Sequence, residues 1–208
     1  MKKILLLILI LASFAGLSQN TVTIVHTNYT TVFDTVKHYP KVVSWWLTKK
    51  EIGCKVVRKN QFGPDPQLRK QSDLQSDYVN SGYDRGHNQS FEDNACMDAN
   101  VQKECFYFTN MCPQWHKVNA GSWERLEINC RKIAAQCDSV HVWAGSLGEA
   151  KKIGRVSVPL FCWKVFYIKS MNQWKAYIFD NSKDDSGNKN PETTVEAIEL
   201  QTGLKFTP

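Results

Sequence analysis

The sequence predicts a single α+β domain built round a central antiparallel or mixed sheet, and three observations carry that expectation. β-Branched and aromatic residues alternate with polar ones early in the chain and again late in it. Between and after these stretches, apolar residues recur at spacings of three and four. No repeat and no linker divides the 208 residues, a length that suits one domain. With 42% hydrophobic and 22% charged residues, there is enough apolar surface to bury a core, which excludes a disordered or low-complexity chain.

The first twenty residues, MKKILLLILILASFAGLSQN, set two lysines before an apolar run from Ile4 to Phe14, followed by small residues at Ala15, Gly16 and Ser18. That order is expected of a secretory signal peptide over residues 1–19, with cleavage near Gln19 and a domain over 20–208. The run is short for a membrane span, and no later stretch is long and apolar enough to be one. The expected product is therefore a secreted or periplasmic protein with no membrane attachment after cleavage. Loss of Lys2 and Lys3 would lower the formal charge from +6 to +4. Such a balance permits a polyanionic partner without arguing for one.

TVTIVHT, YTTVFDTV and VVSWW, between Asn20 and Trp46, read as strands. Residues 49–70 are locally basic, a solvated face or one wall of an anion-binding cleft. Within them Gly63-Pro64-Asp65-Pro66 must be a loop. A helix is expected over 117–137, where Ala120, Trp123, Leu126, Cys130 and Ala134 form an apolar stripe. Val140–Trp143, Phe161–Ile168 and Trp174–Phe179 are further strands, and 181–192 an exposed loop. A last helix is signalled by the capping box Thr193-x-x-Glu196 and by Gly203 as its C-terminal cap. The seven cysteines lie after the leader, and in an oxidising compartment two or three disulfides with at least one spare thiol are expected; Cys96 and Cys105 are close enough to close a loop. Zinc is disfavoured because there is no C-x-x-C pair and Cys112 with His116 makes a poor half-site.

Chemistry concentrates in residues 83–131. Tyr83-Asp84-Arg85-Gly86-His87 holds a histidine able to take a proton near pH 7. Asn119, Trp123, Glu127 and Arg131 follow at four-residue steps, each turning a helix by only about 40°, so they form one slowly drifting row. An amide and a carboxylate suit Mg²⁺, and a guanidinium suits a phosphate. Spacing alone allows an equally plain reading, with Trp123 in the core and Glu127–Arg131 an exposed ion pair.

Taken together, DRGH, then Asn110-x-x-Pro113-Gln114, then Asn119-x-x-x-Trp123-x-x-Leu126-Glu127 resembles the DNA/RNA non-specific endonucleases, the ββα-metal group that includes endonuclease G. Thr31 to Lys49, the Phe62–Pro66 loop and the Val158–Phe166 stretch are also similar, so the likeness runs from about residue 29 to 206. It implies a strand–strand–helix (ββα) metal motif within the α+β domain, with DNA and RNA as substrates, Mg²⁺ or Mn²⁺ as cofactor, and products with 5′-phosphate and 3′-hydroxyl ends. His87 would be the general base, Asn119 the direct metal ligand, and Glu127 a holder of metal-bound water. Arg85 and Arg131 would contact phosphate, Asn110 would orient the histidine, and Gln114 would support the substrate site. Where the family often has a basic residue just after Pro-Asp-Pro, this chain has Gln67, with Arg69 two positions on as the phosphate contact. Asn88-Gln89-Ser90 after the base also departs from the family and implies a differently shaped loop. The resemblance leaves a homodimer open. A catalytically inactive nucleic-acid- or partner-binding module on the same scaffold is the alternative. A cysteine hydrolase using Cys112 with His116 or His141 lacks an accompanying oxyanion pattern.

Overall fold

The computed structural model describes residues 20–182 and 192–208. The signal-peptide expectation for 1–19 and most of the loop expected at 181–192 lie outside these residues. The three early strands form: β1 (Thr21–Val25), β2 (Thr30–Asp34) and β3 (Tyr39–Thr48). Two one-turn helices follow, α1 (Arg69–Ser72) and α2 (Gln75–Tyr78). DRGH is itself a strand, β4 (Asp84–His87), and α3 (Ala99–Glu104) leads on to β5 (Met111–Gln114). After the helix α4 (Glu124–Gln136) come β6 (Ser139–Leu147), the hairpin β7 (Lys151–Ile153) and β8 (Val156–Val158), β9 (Phe161–Ile168) and β10 (Gln173–Asp180). A short β11 (Glu192–Thr193) precedes the final helix α5 (Val195–Thr202).

Seven strands make one sheet in the order β1-β2-β3-β6-β9-β10-β11, every neighbouring pair antiparallel. One face packs Trp45, Leu47, Val142, Phe166 and Phe179 against Trp123, Leu126 and Cys130 of the helical segment. The opposite face packs Trp143, Trp163, Val165 and Ala176 against Ile198 of α5 and the terminal Phe206. β4 and β5 form a separate antiparallel pair on the first face. The fold is thus α+β, with the sheet's first face carrying the DRGH strand pair and the helix beside it. No described helix is long and apolar enough to cross a membrane.

Three expectations change. The helix of 117–137 is not uniformly α: Val118–Trp123 is wound as a π-helix before α4 begins. The cap of α5 is Thr194, whose side chain accepts from the Ala197 amide, not Thr193; Gly203 closes the helix at φ 71° as expected. Among the described residues there is one disulfide, Cys54–Cys96, in place of two or three. Cys105, Cys112, Cys130 and Cys162 are instead buried thiols filling the core as small apolar groups. Cys96 is thereby tied to the basic loop rather than to Cys105.

Candidate active site

The pairing of β4 with β5 places Asp84 opposite Gln114, Gly86 opposite Cys112 and His87 opposite Met111. Two-residue periodicity sends Arg85 and His87 to the same face of β4. There the ring of Phe62 lies 4.8 Å from the Arg85 guanidinium and 5.6 Å from the imidazole, while Phe106 meets the imidazole edge-on at 5.3 Å. Gly86 points the other way, where a Cβ would run into the Gln114 carboxamide, so strand and side chain touch as closely as only glycine allows.

The helical segment supplies the opposite wall. Asn119, in the π-helical turn, donates from Nδ2 to Asp84 Oδ2 at 2.9 Å, and His116 Nδ1 lies 2.8 Å from the same oxygen. Trp123 is in the core and its indole N–H donates to the His87 carbonyl at 3.0 Å, pinning the helix to the strand. Glu127, one turn on, is nearly buried and reaches Lys164 Nζ on β9 at 3.3 Å. Arg85, His87, Asn119 and Glu127 all line one open cleft of about 570 Å³. π-Helical turns are rare and recur at functional positions, because the extra residue re-aims a side chain. Here that side chain is Asn119.

Burial of the imidazole, with the Arg58 guanidinium nearby, holds His87 well below its ordinary 6.5, at about 3. Its Nε2 and the Nε of Arg85 have no hydrogen-bond partner within the protein. A neutral imidazole beside guanidinium groups suits taking a proton from a water that attacks an anion. Asp84 holds the Asn119 nitrogen, which leaves the amide oxygen to face a cation. With the Glu127 carboxylate it makes a set of hard oxygen donors that fits Mg²⁺ or a similar divalent ion.

Four residues expected at the site stand elsewhere or act differently. Asn110 is buried and does not touch the imidazole; its amide bonds the carbonyls of Gln89 and Cys105 and accepts from the Gln89 amide. It fixes the chain two residues beyond His87, while aromatic rings hold the imidazole. Gln114 is fully buried behind β4 and cannot touch substrate. Arg131 pairs with the buried Asp93 at 2.9 Å and lines a different hollow, beside Ile52 and Lys132. Three helical steps of about 40° had already carried it some 120° round from Asn119. Glu127 and Arg131 are consequently not each other's partners. Arg69 is exposed on α1 and does not line the cleft.

In the place expected for Arg69 stands Arg58, which lines the cleft with its guanidinium over Phe106 at 5.4 Å and Phe91 at 5.7 Å. The basic run that contains it was the available signal, but nothing in the run distinguishes one cation from another. Lys164 was also missed, although a single lysine inside the apolar run Phe161–Ile168 breaks the pattern of a buried strand.

A strand pair and a helix bring a histidine and an asparagine to one cleft that also holds two arginines and three carboxylates, an arrangement of the ββα-metal kind. The chain belongs to the DNA/RNA non-specific endonuclease family, whose sequence model matches residues 11–208. It is 31% identical over 204 residues to the mitochondrial nuclease EXOG of Xenopus laevis, covering 87% of this chain and 57% of that one. Human EXOG is 32% identical over 156 residues, covering 67% and 42%, so the chain spans about half the length of these relatives. To the nuclease of Serratia marcescens it is 28% identical over 203 residues, covering 89% and 74%. The solved EndoG/EndoGI complex contains a chain with the same fold, at TM-score 0.77 and 24% identity, covering 88% and 84%.

Proposed function

We propose that this protein is an exported endonuclease that hydrolyses phosphodiester bonds of DNA and RNA without sequence preference, dependent on Mg²⁺ or Mn²⁺. The observation that carries the reading is His87 and Asn119 lining one cleft, joined through the Trp123–His87 hydrogen bond. His87, neutral at working pH, takes the proton of the attacking water. Arg85 and Arg58 lie where a phosphate's charge is held, and contacts of that kind carry no base information. Asn119, oriented by Asp84, would hold the ion directly, and Glu127 would hold water of its hydration shell. The bound ion supplies charge for the phosphate and the departing oxygen. Attack by water on phosphorus with loss of the 3′ oxygen leaves 5′-phosphate and 3′-hydroxyl ends. Export rests on residues 1–19 and is supported by the Cys54–Cys96 disulfide, which suits an oxidising compartment. EXOG relatives carry a mitochondrial name, and that location is theirs.

Plasmid DNA and RNA incubated with the mature protein, with and without EDTA, test this directly. Cleavage that EDTA stops, and that His87→Ala reduces about 10²- to 10⁴-fold in a folded protein, is expected. Salt-sensitive binding of both polymers with no cleavage under any divalent ion would instead mark a binding module.

A further inference from the structure

Lys164 lies on β9, an interior strand of the sheet, with 1% of its surface exposed. Its neighbours on that face are apolar or aromatic: Cys162 and Phe166 on its own strand, Trp45 on β3 of the same sheet, and Trp123 of the helical segment packed over it. Its Nζ lies 4.1 Å from the Trp123 ring centroid, 5.8 Å from that of Trp45, and 3.3 Å from Glu127 Oε1. A buried ammonium without a carboxylate costs far more than an apolar side chain of the same length, so methionine or leucine would serve packing better. The carboxylate it meets is the one at the cleft. With Oε1 taken by Lys164 below, Oε2 is the oxygen left for the cleft. The same ammonium rests on the indole that holds the His87 carbonyl. Nearby, Asp93 is matched by Arg131, so this corner holds two buried acids, each with its own cation.

We propose that Lys164 is a positioning residue of the metal centre: it holds the Glu127 carboxylate in the one orientation that receives a water of the hydrated ion. The inference rests on the proposed role of Glu127, and the test separates the two. Mn²⁺ affinity of the nucleic-acid-free protein, followed by EPR titration, is the readout, since it does not depend on turnover. Partners of this kind change metal affinity about 10- to 100-fold. Lys164→Met and Glu127→Gln should each weaken Mn²⁺ binding by about tenfold or more. Lys164→Arg should recover most of that loss, and adding K164M to E127Q should cost less than about twofold further, because both act through one carboxylate. If K164M does not fold, Lys164→Leu carries the same comparison, since it too removes the donor to Oε1. Unchanged Mn²⁺ affinity in K164M or K164L overturns the proposal and leaves the nuclease reading standing. So does an equal loss in the E127Q background, which would mean that Lys164 acts through the fold. A wild-type protein that neither binds Mn²⁺ nor cleaves with it removes both readings.

Discussion

His87 shows how a residue's surroundings, not its type, set its chemistry. An imidazole packed between Phe62 and Phe106 and facing Arg58 resists protonation, so its proton leaves at about pH 3 rather than 6.5. Between those values the unfolded chain binds a proton at this ring that the folded chain does not. Unfolding free energy therefore rises with pH across that window because of His87, and levels off above it. Asp93 opposes this: burial, outweighing its Arg131 partner, lifts it to about 6, so between about pH 4 and 6 it makes stability fall as pH rises. Wild-type stability alone thus hides both effects. Urea midpoints of wild type and His87→Ala, compared from pH 3.5 to 7.5 (about one unit either side of the ordinary histidine value and down to the folded one), should separate them. The wild-type advantage should grow as pH rises to about 6.5 and be constant beyond; a constant difference throughout would mean an ordinary, hydrated imidazole. Arg85, His87, Asn119 and Glu127, which a motif names, were legible in the sequence as residues to bring together, and they line one cleft. Asn110 and Gln114 were legible as important but not as to what they touch, because sequence order does not say which side of a strand the next segment passes. Both pass behind or beyond the imidazole.

At the scale of elements, period decides what can be read. Strands β1 to β3, β6, β9 and β10 alternate or run apolar, and their positions followed from the sequence to within a few residues. α1 and α2, four residues each, have no room to show a helical period and were invisible. The π-turn of Val118–Trp123 was hidden for another reason: it departs from a helix by one residue per turn, and its apolar positions still look helical. β4 depends on a contact that no periodicity records, the approach of Gly86 to the Gln114 carboxamide. Gly86→Ala should therefore displace β4 and carry Arg85 and His87 with it. Overpacking of this kind costs about 1–3 kcal/mol, and activity should fall further than stability, since a small misplacement of reacting groups is expensive in rate. Gln114→Ala opens the space the new methyl needs. The double variant G86A/Q114A should regain much of the activity that G86A loses, measured as kcat/KM on plasmid DNA, and no recovery would place the effect of Gly86 elsewhere.

Over the whole molecule, the sheet and its two cores hold most of the chain, yet one wall of the cleft comes from a segment they hardly touch. Residues 53–61 are exposed and belong to no helix or strand. Their anchorage is the Cys54–Cys96 bond, a backbone bond from the Cys96 amide to the Glu51 carbonyl, and the stacking of Arg58 on Phe91 and Phe106. The disulfide joins positions 42 residues apart, for which chain-entropy reasoning gives about 4 kcal/mol of stabilisation. Its second consequence concerns function, because it holds the base of the loop that presents Arg58 to the cleft. The paired substitution Cys54→Ser with Cys96→Ser should lower stability by about 2–4 kcal/mol in denaturant titrations. It should also lower kcat/KM under conditions where the protein is still folded. Arg58→Ala should lower kcat/KM about tenfold or more, the size of a lost hydrogen bond to a charged group, whereas Arg69→Ala, on the exposed face of α1, should leave it within about twofold. If the disulfide serves the cleft by placing Arg58, removing it from the R58A protein should cost stability as before but little further activity. Equal losses of activity in both backgrounds would show that the bond supports the centre through the α3 side instead, where Cys96 leads into the helix and on towards Phe106 beneath the imidazole.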